Sequence, residues 1–349
     1  MNVKPTDFRT ISPVIIIAAV FIVLAGLMAA QTIVIPLLLA TFIGIISAYP
    51  IQWMTIRKVP HTISVIIVLI GILLSLFFVG GVVGSSVSRF SNAMPVYQEN
   101  IKKMTQNLVS GLESRGIDIS SEQMASIIEP GKAFGYATDF LSEIGAMLGD
   151  SLLILFVVMF MLFEMNSFPV KVKVIEKLEG SSLNFFTKIA DSLRHYLAIK
   201  TVISLFTGVL ITISLLIIGV DYPLLWGMIA FLLNYIPSIG SIIASVPAMM
   251  LALIQLGFSG MLWTGISFLA VNTLMGNILE PKVMGSGLGL STLVVFISLI
   301  VWGFVFGSIG MFLSVPLTMT IKIILEQNSR TRWFAILLGT EKEAQQIST

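Results

Sequence analysis

The sequence predicts an all-α polytopic membrane protein with about six full transmembrane helices and two Gly/Pro-broken segments that form an inverted repeat. Composition is the first reason: 56% of the 349 residues are hydrophobic and 11% are charged, against about 25% charged in a soluble domain. Apolar runs of about 20 residues, the length that crosses a bilayer as helix, recur along the chain. The third reason is a repeat. Ser238-Ile239-Gly240 with Ser245-Val246-Pro247 returns as Ser308-Ile309-Gly310 with Ser314-Val315-Pro316, one residue fewer in between. Each copy is apolar, yet its glycines and prolines loosen the backbone or remove a donor.

Composition also excludes. Net charge is +2 and spread among loops, so nucleic acid is not an expected partner. With no cysteine there is no disulfide, thiolate metal site or cysteine nucleophile. His61 and His195 are the only histidines, which leaves little material for a metal centre or for His-based catalysis. No cofactor is expected. Residues 1–10 are polar and the apolar run after them has no small-residue cleavage pattern, so the first span is expected to stay as an anchor.

The elements follow in order. Residues 1–84 hold the first three spans: Ser12 to Ala30, Thr32 to Met54 and Thr62 to Gly84. Lys4, Arg9, Arg57 and Lys58 place the N-terminus and the second loop in the cytoplasm by the positive-inside rule. Residues 85–150 read as an external helical insert. Its five basic residues meet eight acidic ones, it carries Ile101, Met104, Leu108 and Leu112 at helical spacing, and Ser120 with Gln123 resembles a capping box. Residues 151–200 hold a short fourth span, Ser151 to Glu164, and the most basic part of the chain. There Phe186, Ile189, Leu193 and Tyr196 share one face of an amphipathic helix expected on the inner surface. Asp191 and His195 are placed to pair at i+4.

Residues 201–325 form the expected transport core. Thr201 to Gly219 is the fifth span, with an outer turn at Asp221-Tyr222-Pro223. The arm from Leu224 to Ile236 is about 20 Å long as helix, short of the roughly 30 Å apolar core. One topology therefore makes Leu224 to Leu256 a re-entrant hairpin, Phe258 to Gly276 the sixth span and Leu290 to Leu325 a second hairpin of opposite orientation. In the other, each broken segment crosses once. The side on which Glu280-Pro281-Lys282 lies separates them: cytoplasmic for hairpins, external for crossings. With hairpins, 15 of the 20 basic residues are cytoplasmic, and residues 326–349 are a cytoplasmic tail.

Backbone groups freed at such breaks cannot face lipid, and paired interrupted segments are the usual place for a transporter's binding site. The expected substrate-binding residues are Asn234, Tyr235, Pro237, Ser238 and Gly240 on one wall, and Asn277, Ser308 and Gly310 on the other. Glu280 and Lys282 are the expected ion- or proton-coupling residues, Glu280 as the carrier, because ionisable groups at membrane depth are functional candidates by default; the alternative is an interfacial Glu280 merely paired with Lys282. No nucleophile and base stand at membrane depth with an orienting group, which argues against an enzyme. Gly285-Ser286-Gly287-Leu288-Gly289 lacks the Gly-Lys-[Ser/Thr] ending of a phosphate loop and reads as a hinge.

Leu233-Asn234-Tyr235-Ile236-Pro237-Ser238-Ile239-Gly240-Ser241, and Gly276-Asn277-Ile278-Leu279-Glu280-Pro281-Lys282-Val283-Met284-Gly285 running on through Gly289-Leu290-Ser291-Thr292 to Trp302-Gly303, resemble the autoinducer-2 exporter family. Asp191-Ser192-Leu193 and His195-Tyr196-Leu197 with Lys200-Thr201 extend the likeness along nearly the whole chain. The resemblance implies a multi-pass secondary transporter of the bacterial inner membrane that exports the quorum-sensing signal autoinducer-2 or a similar small polar solute. It also implies a homopentamer. A monovalent cation (sodium)/proton antiporter using the same breaks and a passive oligomeric channel are the alternatives.

Overall fold

The computed structural model describes residues 13–114, 151–165, 167–179, 184–284, 289–341 and 345. Among these the regular elements are helices. They run α1 (Pro13–Ala29), α2 (Gln31–Ile56), α3 (His61–Glu113), α4 (Ser151–Glu164), α5 (Phe168–Glu179), α6 (Asn184–Ile218), α7 (Pro223–Leu233), α8 (Gly240–Asn272), a π-helical stretch (Thr273–Leu279), α9 (Glu280–Met284), α10 (Thr292–Gln327) and α11 (Arg332–Leu338). Among the described residues, 5 helices are long and apolar enough to cross a membrane, beginning at Gln31, His61, Phe186, Gly240 and Thr292. Helices α1 and α4 are as apolar but have 17 and 14 residues. Large apolar side chains stand outward from these helices, Phe21 at 68%, Phe77 at 70% and Phe304 at 74% exposure. In water such a surface would drive association, and in lipid it is the favoured one.

Two elements differ from their expected lengths. The helix of the third span does not stop at Gly84: α3 is 53 residues long from His61, about 80 Å at the helical rise. Its inward row is Val83, Phe90, Tyr97 and Ile101. Ile101 is buried and Met104 half-buried, while the Leu108 and Leu112 side chains and the Ser120–Gln123 pair lie outside the described residues. The amphipathic surface helix and the fifth span are one helix, α6, because nothing between Ile199 and Val202 interrupts the turn.

The chain folds back on itself just past the first broken segment, at Gly257, and within the second, at Gly307. At Gly257 (φ 75°) and Gly307 (φ 64°) the backbone takes a left-handed conformation that glycine adopts without a Cβ penalty. Past Gly257, Gly265 lies against Met249, where a Cβ would be 3.0 Å from the Met249 methyl; an unbroken helix would separate the two by about 24 Å. Past Gly307, the Trp302 indole N–H donates to the Thr318 hydroxyl at 3.0 Å. Each helix is thus two arms side by side.

Three cores tie the arms together. Helix α3 packs its inward row against Ile203, Ile211 and Leu215 of α6, Trp226 and Ile229 of α7, and Ala244, Ala248 and Phe268 of α8. Leu193, Tyr196 and Leu197 of α6 pack on Phe42 of α2 and on Leu313, Val315 and Met319 of α10. Ala40 and Ile51 of α2, Val65 of α3 and Val158 and Leu162 of α4 form the third. Helix α6 therefore touches both folded-back segments, which makes it the axis of the site.

Candidate functional site

One face of α6 carries Tyr196, Lys200, Ser204 and Thr207, spaced by a helical turn and all buried. Polar groups on a helix in an apolar medium turn toward protein partners; the Thr207 hydroxyl donates to the Ile203 carbonyl of its own helix, while Lys200 and Ser204 find partners in other parts of the chain. The Lys200 ammonium donates to both Glu280 oxygens, at 2.7 and 2.9 Å. The side chains of this pair are 5% and 17% exposed. One turn further, the Asn234 amide donates to the Ser204 hydroxyl at 2.9 Å. Between them the Tyr235 and Thr201 hydroxyls are 2.6 Å apart. Thr201 already donates to the Leu197 carbonyl at 2.7 Å, so its single proton is committed and Tyr235 is the donor.

The first break, Asn234 to Ile239, is thereby pinned to α6 by two side chains in succession. Its Tyr235 ring also lies 4.6 Å, centroid to centroid, from Phe312 in the second folded-back segment. The two copies of the repeat and α6 meet at Tyr235. The shared Ser-Ile-Gly also has one structural meaning in both copies: a Cβ on Gly240 would stand 1.7 Å from the Leu233 carbonyl oxygen, and one on Gly310 1.8 Å from that of Trp302. Only glycine allows backbone to close on backbone this way.

Glu280 owes its position to the π-helical stretch before it. A π turn is wider than an α turn and such turns are frequent at functional sites. The wider turn resets the direction of the side chains that follow it. Glu280 faces Lys200, while Lys282 is exposed.

Of the ten site residues expected from sequence, Asn234, Tyr235, Gly240, Gly310 and Glu280 turn inward at this locus, and Pro237 is half-buried beside them. Ser238 holds φ 61° and is exposed. Asn277, Ser308 and Lys282 are exposed as well. The pairing of Asp191 with His195 is replaced by a loose contact of Asp191 with Arg194 at 3.9 Å. Sequence reasoning missed Tyr196, Lys200, Thr201 and Ser204. Their signal was available: Lys200 and Ser204 lie at i, i+4 where the chain enters an apolar run. Among the described residues no three His, Asp or Glu side chains gather to hold a metal ion.

Helices with lipid-facing apolar surfaces and a polar seam turned onto one inner helix define a polytopic helical membrane protein. Residues 14–330 match the family described as AI-2E family transporter, and the chain belongs to that family. It is 37% identical to the AI-2 transport protein TqsA of Escherichia coli (strain K12), over 93% of this chain and 95% of that protein. YhhT of the same organism is 35% identical over 93% of each chain.

Proposed function

We propose that this protein is a secondary transporter of the bacterial inner membrane that exports autoinducer-2 or a similar small polar solute. The observation that carries the reading is the convergence of both broken segments on the polar face of α6 at Tyr235. Kinship to a protein named for AI-2 transport points to the substrate. Asn234, Tyr235, Pro237, Ser238 and Gly240 form one side of the path, and Asn277, Ser308 and Gly310 the other. The exposed members of this set meet the solute where the path opens.

In this reading Gln31 to Ile56, the first half of α3, α6 and the arm after Gly257 cross the bilayer together with α1 and α4, and the two broken segments, Leu224 to Leu256 and Leu290 to Leu325, are re-entrant hairpins of opposite orientation. Both termini are cytoplasmic. The functional assembly is a homo-oligomer, a pentamer by kinship, and the lipid bilayer covers the remaining apolar surface.

The test is uptake of labelled autoinducer-2 into everted vesicles holding the purified protein, with and without a proton gradient, beside a pH readout on adding sodium. Saturable, gradient-sensitive uptake is the expected result. One observation favours a second reading: a carboxylate buried on a lysine, as Glu280 is, can exchange its partner for a proton or cation. A sodium-triggered pH change without uptake would make the protein a monovalent cation/proton antiporter.

A further inference from the structure

Next to the Lys200–Glu280 pair, α6 and α10 line most of a half-open cavity of 220 Å³. That is about seven water volumes, room for a small solute and not for a drug-sized one. Its polar lining is Lys188, Ser192, His195 and Tyr196 from α6 with Lys322 and Glu326 from α10. Tyr196 stands one turn before Lys200, so the cavity adjoins the seam without containing it.

The charges in it are unequal. Lys188 donates to one Glu326 oxygen at 2.6 Å, and the Lys322 ammonium stands 3.5 Å from the other. One carboxylate is therefore shared by two lysines. Lys322 also donates to the Gly289 carbonyl at 2.6 Å. Its side chain is 6% exposed, while Glu326 is 23% and Lys188 56% exposed. From Thr292 to Ile321 the helix has no charged residue, so Lys322 is a cation set into the end of an apolar run, at a desolvation cost that a neutral side chain would avoid.

We propose that this cavity is a binding site for a small oxyanion, a carboxylate or phosphate group, and that Glu326 occupies in the free protein the place the ligand's anionic group takes. Among the described residues, two ammonium groups face one carboxylate. Ser192 supplies a hydroxyl donor. The asymmetry of exposure decides which partner moves: Glu326 reaches solvent by a side-chain rotation, whereas Lys322 is fixed by its helix and by Gly289. An entering oxyanion thus meets a charge-assisted hydrogen bond from Lys188 and the ammonium of Lys322 beside it.

This inference goes beyond the transport reading and stands without it, because binding is measured on the resting protein. The oxyanion has two sources, a free solute or the headgroup of an anionic lipid. Purified full-length protein in phosphatidylcholine nanodiscs is titrated with inorganic phosphate by calorimetry. Glu326→Gln removes the internal competitor and tightens phosphate binding about tenfold, and Lys188→Gln, a change at a half-exposed position, weakens it about tenfold. The same titration in phosphatidylglycerol nanodiscs separates the sources. Unchanged phosphate binding there supports a free solute. Lost phosphate binding, with phosphatidylglycerol retained in native mass spectrometry by the wild type and not by Lys188→Gln, supports a headgroup. Equal phosphate affinity in all three proteins, with no lipid retention that depends on Lys188, overturns the site. Failure of autoinducer-2 uptake alongside the expected phosphate series removes the transport reading and leaves the site standing.

Discussion

Lys200 and Glu280 are each other's counter-ion in a largely buried contact, so altering one alone is worse than altering both. Lys200→Met or Glu280→Met leaves a buried charge without its counter-ion and is expected to lower stability by about 3–5 kcal/mol, while the double change to Met is close to neutral. Thermal melts of the four detergent-solubilised proteins measure this, and additive losses would sink the argument. Gly240→Ala and Gly310→Ala push a methyl into a carbonyl oxygen and should each lose several degrees in Tm. Gly81→Ala, with nothing within 4 Å of its Cβ, is the neutral control. For transport, Glu280→Gln is expected to abolish pH dependence; an unaltered pH profile would show that Glu280 carries no ion. Glu280 itself was legible because a carboxylate at the end of an apolar run attracts notice. Its partner was not. Lys282, two positions away, was the natural choice by sequence, and Lys200 becomes the partner only when the chain brings residues 80 positions apart together.

At the scale of elements, the repeated Ser-Ile-Gly and Ser-Val-Pro made the two broken segments readable. What they are in three dimensions was only half readable, since charge placed the chain ends alike in both topologies. The contact of Trp302 with Thr318 shows the arms side by side. Zero cysteines make a clean test possible. Lys282→Cys, at an exposed position, should react with a membrane-impermeant maleimide from the cytoplasmic side in everted vesicles and stay unlabelled in intact spheroplasts. Labelling from outside instead would mean that each broken segment crosses the membrane. A second test of the folded arms is the pair Gly303→Cys with Met311→Cys, side chains that face each other across the turn; it should cross-link within one chain under mild oxidation. The boundaries of α3 and α6 escaped the sequence reading for a common reason. Helices end at breakers and caps, whereas a change from apolar to polar residues alters only what surrounds a helix.

For the molecule as a whole, composition established the membrane and the helical class, and the count of spans stayed the hardest quantity. Length rules count α1 and α4 short and count a folded-back segment as long. Helices α1 to α4 leave much of their apolar surface outside the three cores, and lipid or neighbouring copies must cover it. Native mass spectrometry in nanodiscs is expected to give a multiple of the 38.0 kDa chain mass. A single chain at every protein-to-lipid ratio would remove the oligomer from the proposal. Helix α3 adds a mechanical consequence. The Tyr97 hydroxyl donates to Asp221 at 2.7 Å, which fastens the rod to the turn before α7 at a point well off its centre. Treated as a see-saw on that fulcrum, α3 has one arm of about 54 Å toward His61 and one of about 24 Å toward Glu113. A rocking of about 10° would therefore carry the far end roughly 9 Å for every 4 Å at the near one, given the helical rise. A small displacement at the Glu113 end would arrive beside α2 and α4 magnified about twofold, by the same ratio of helix lengths.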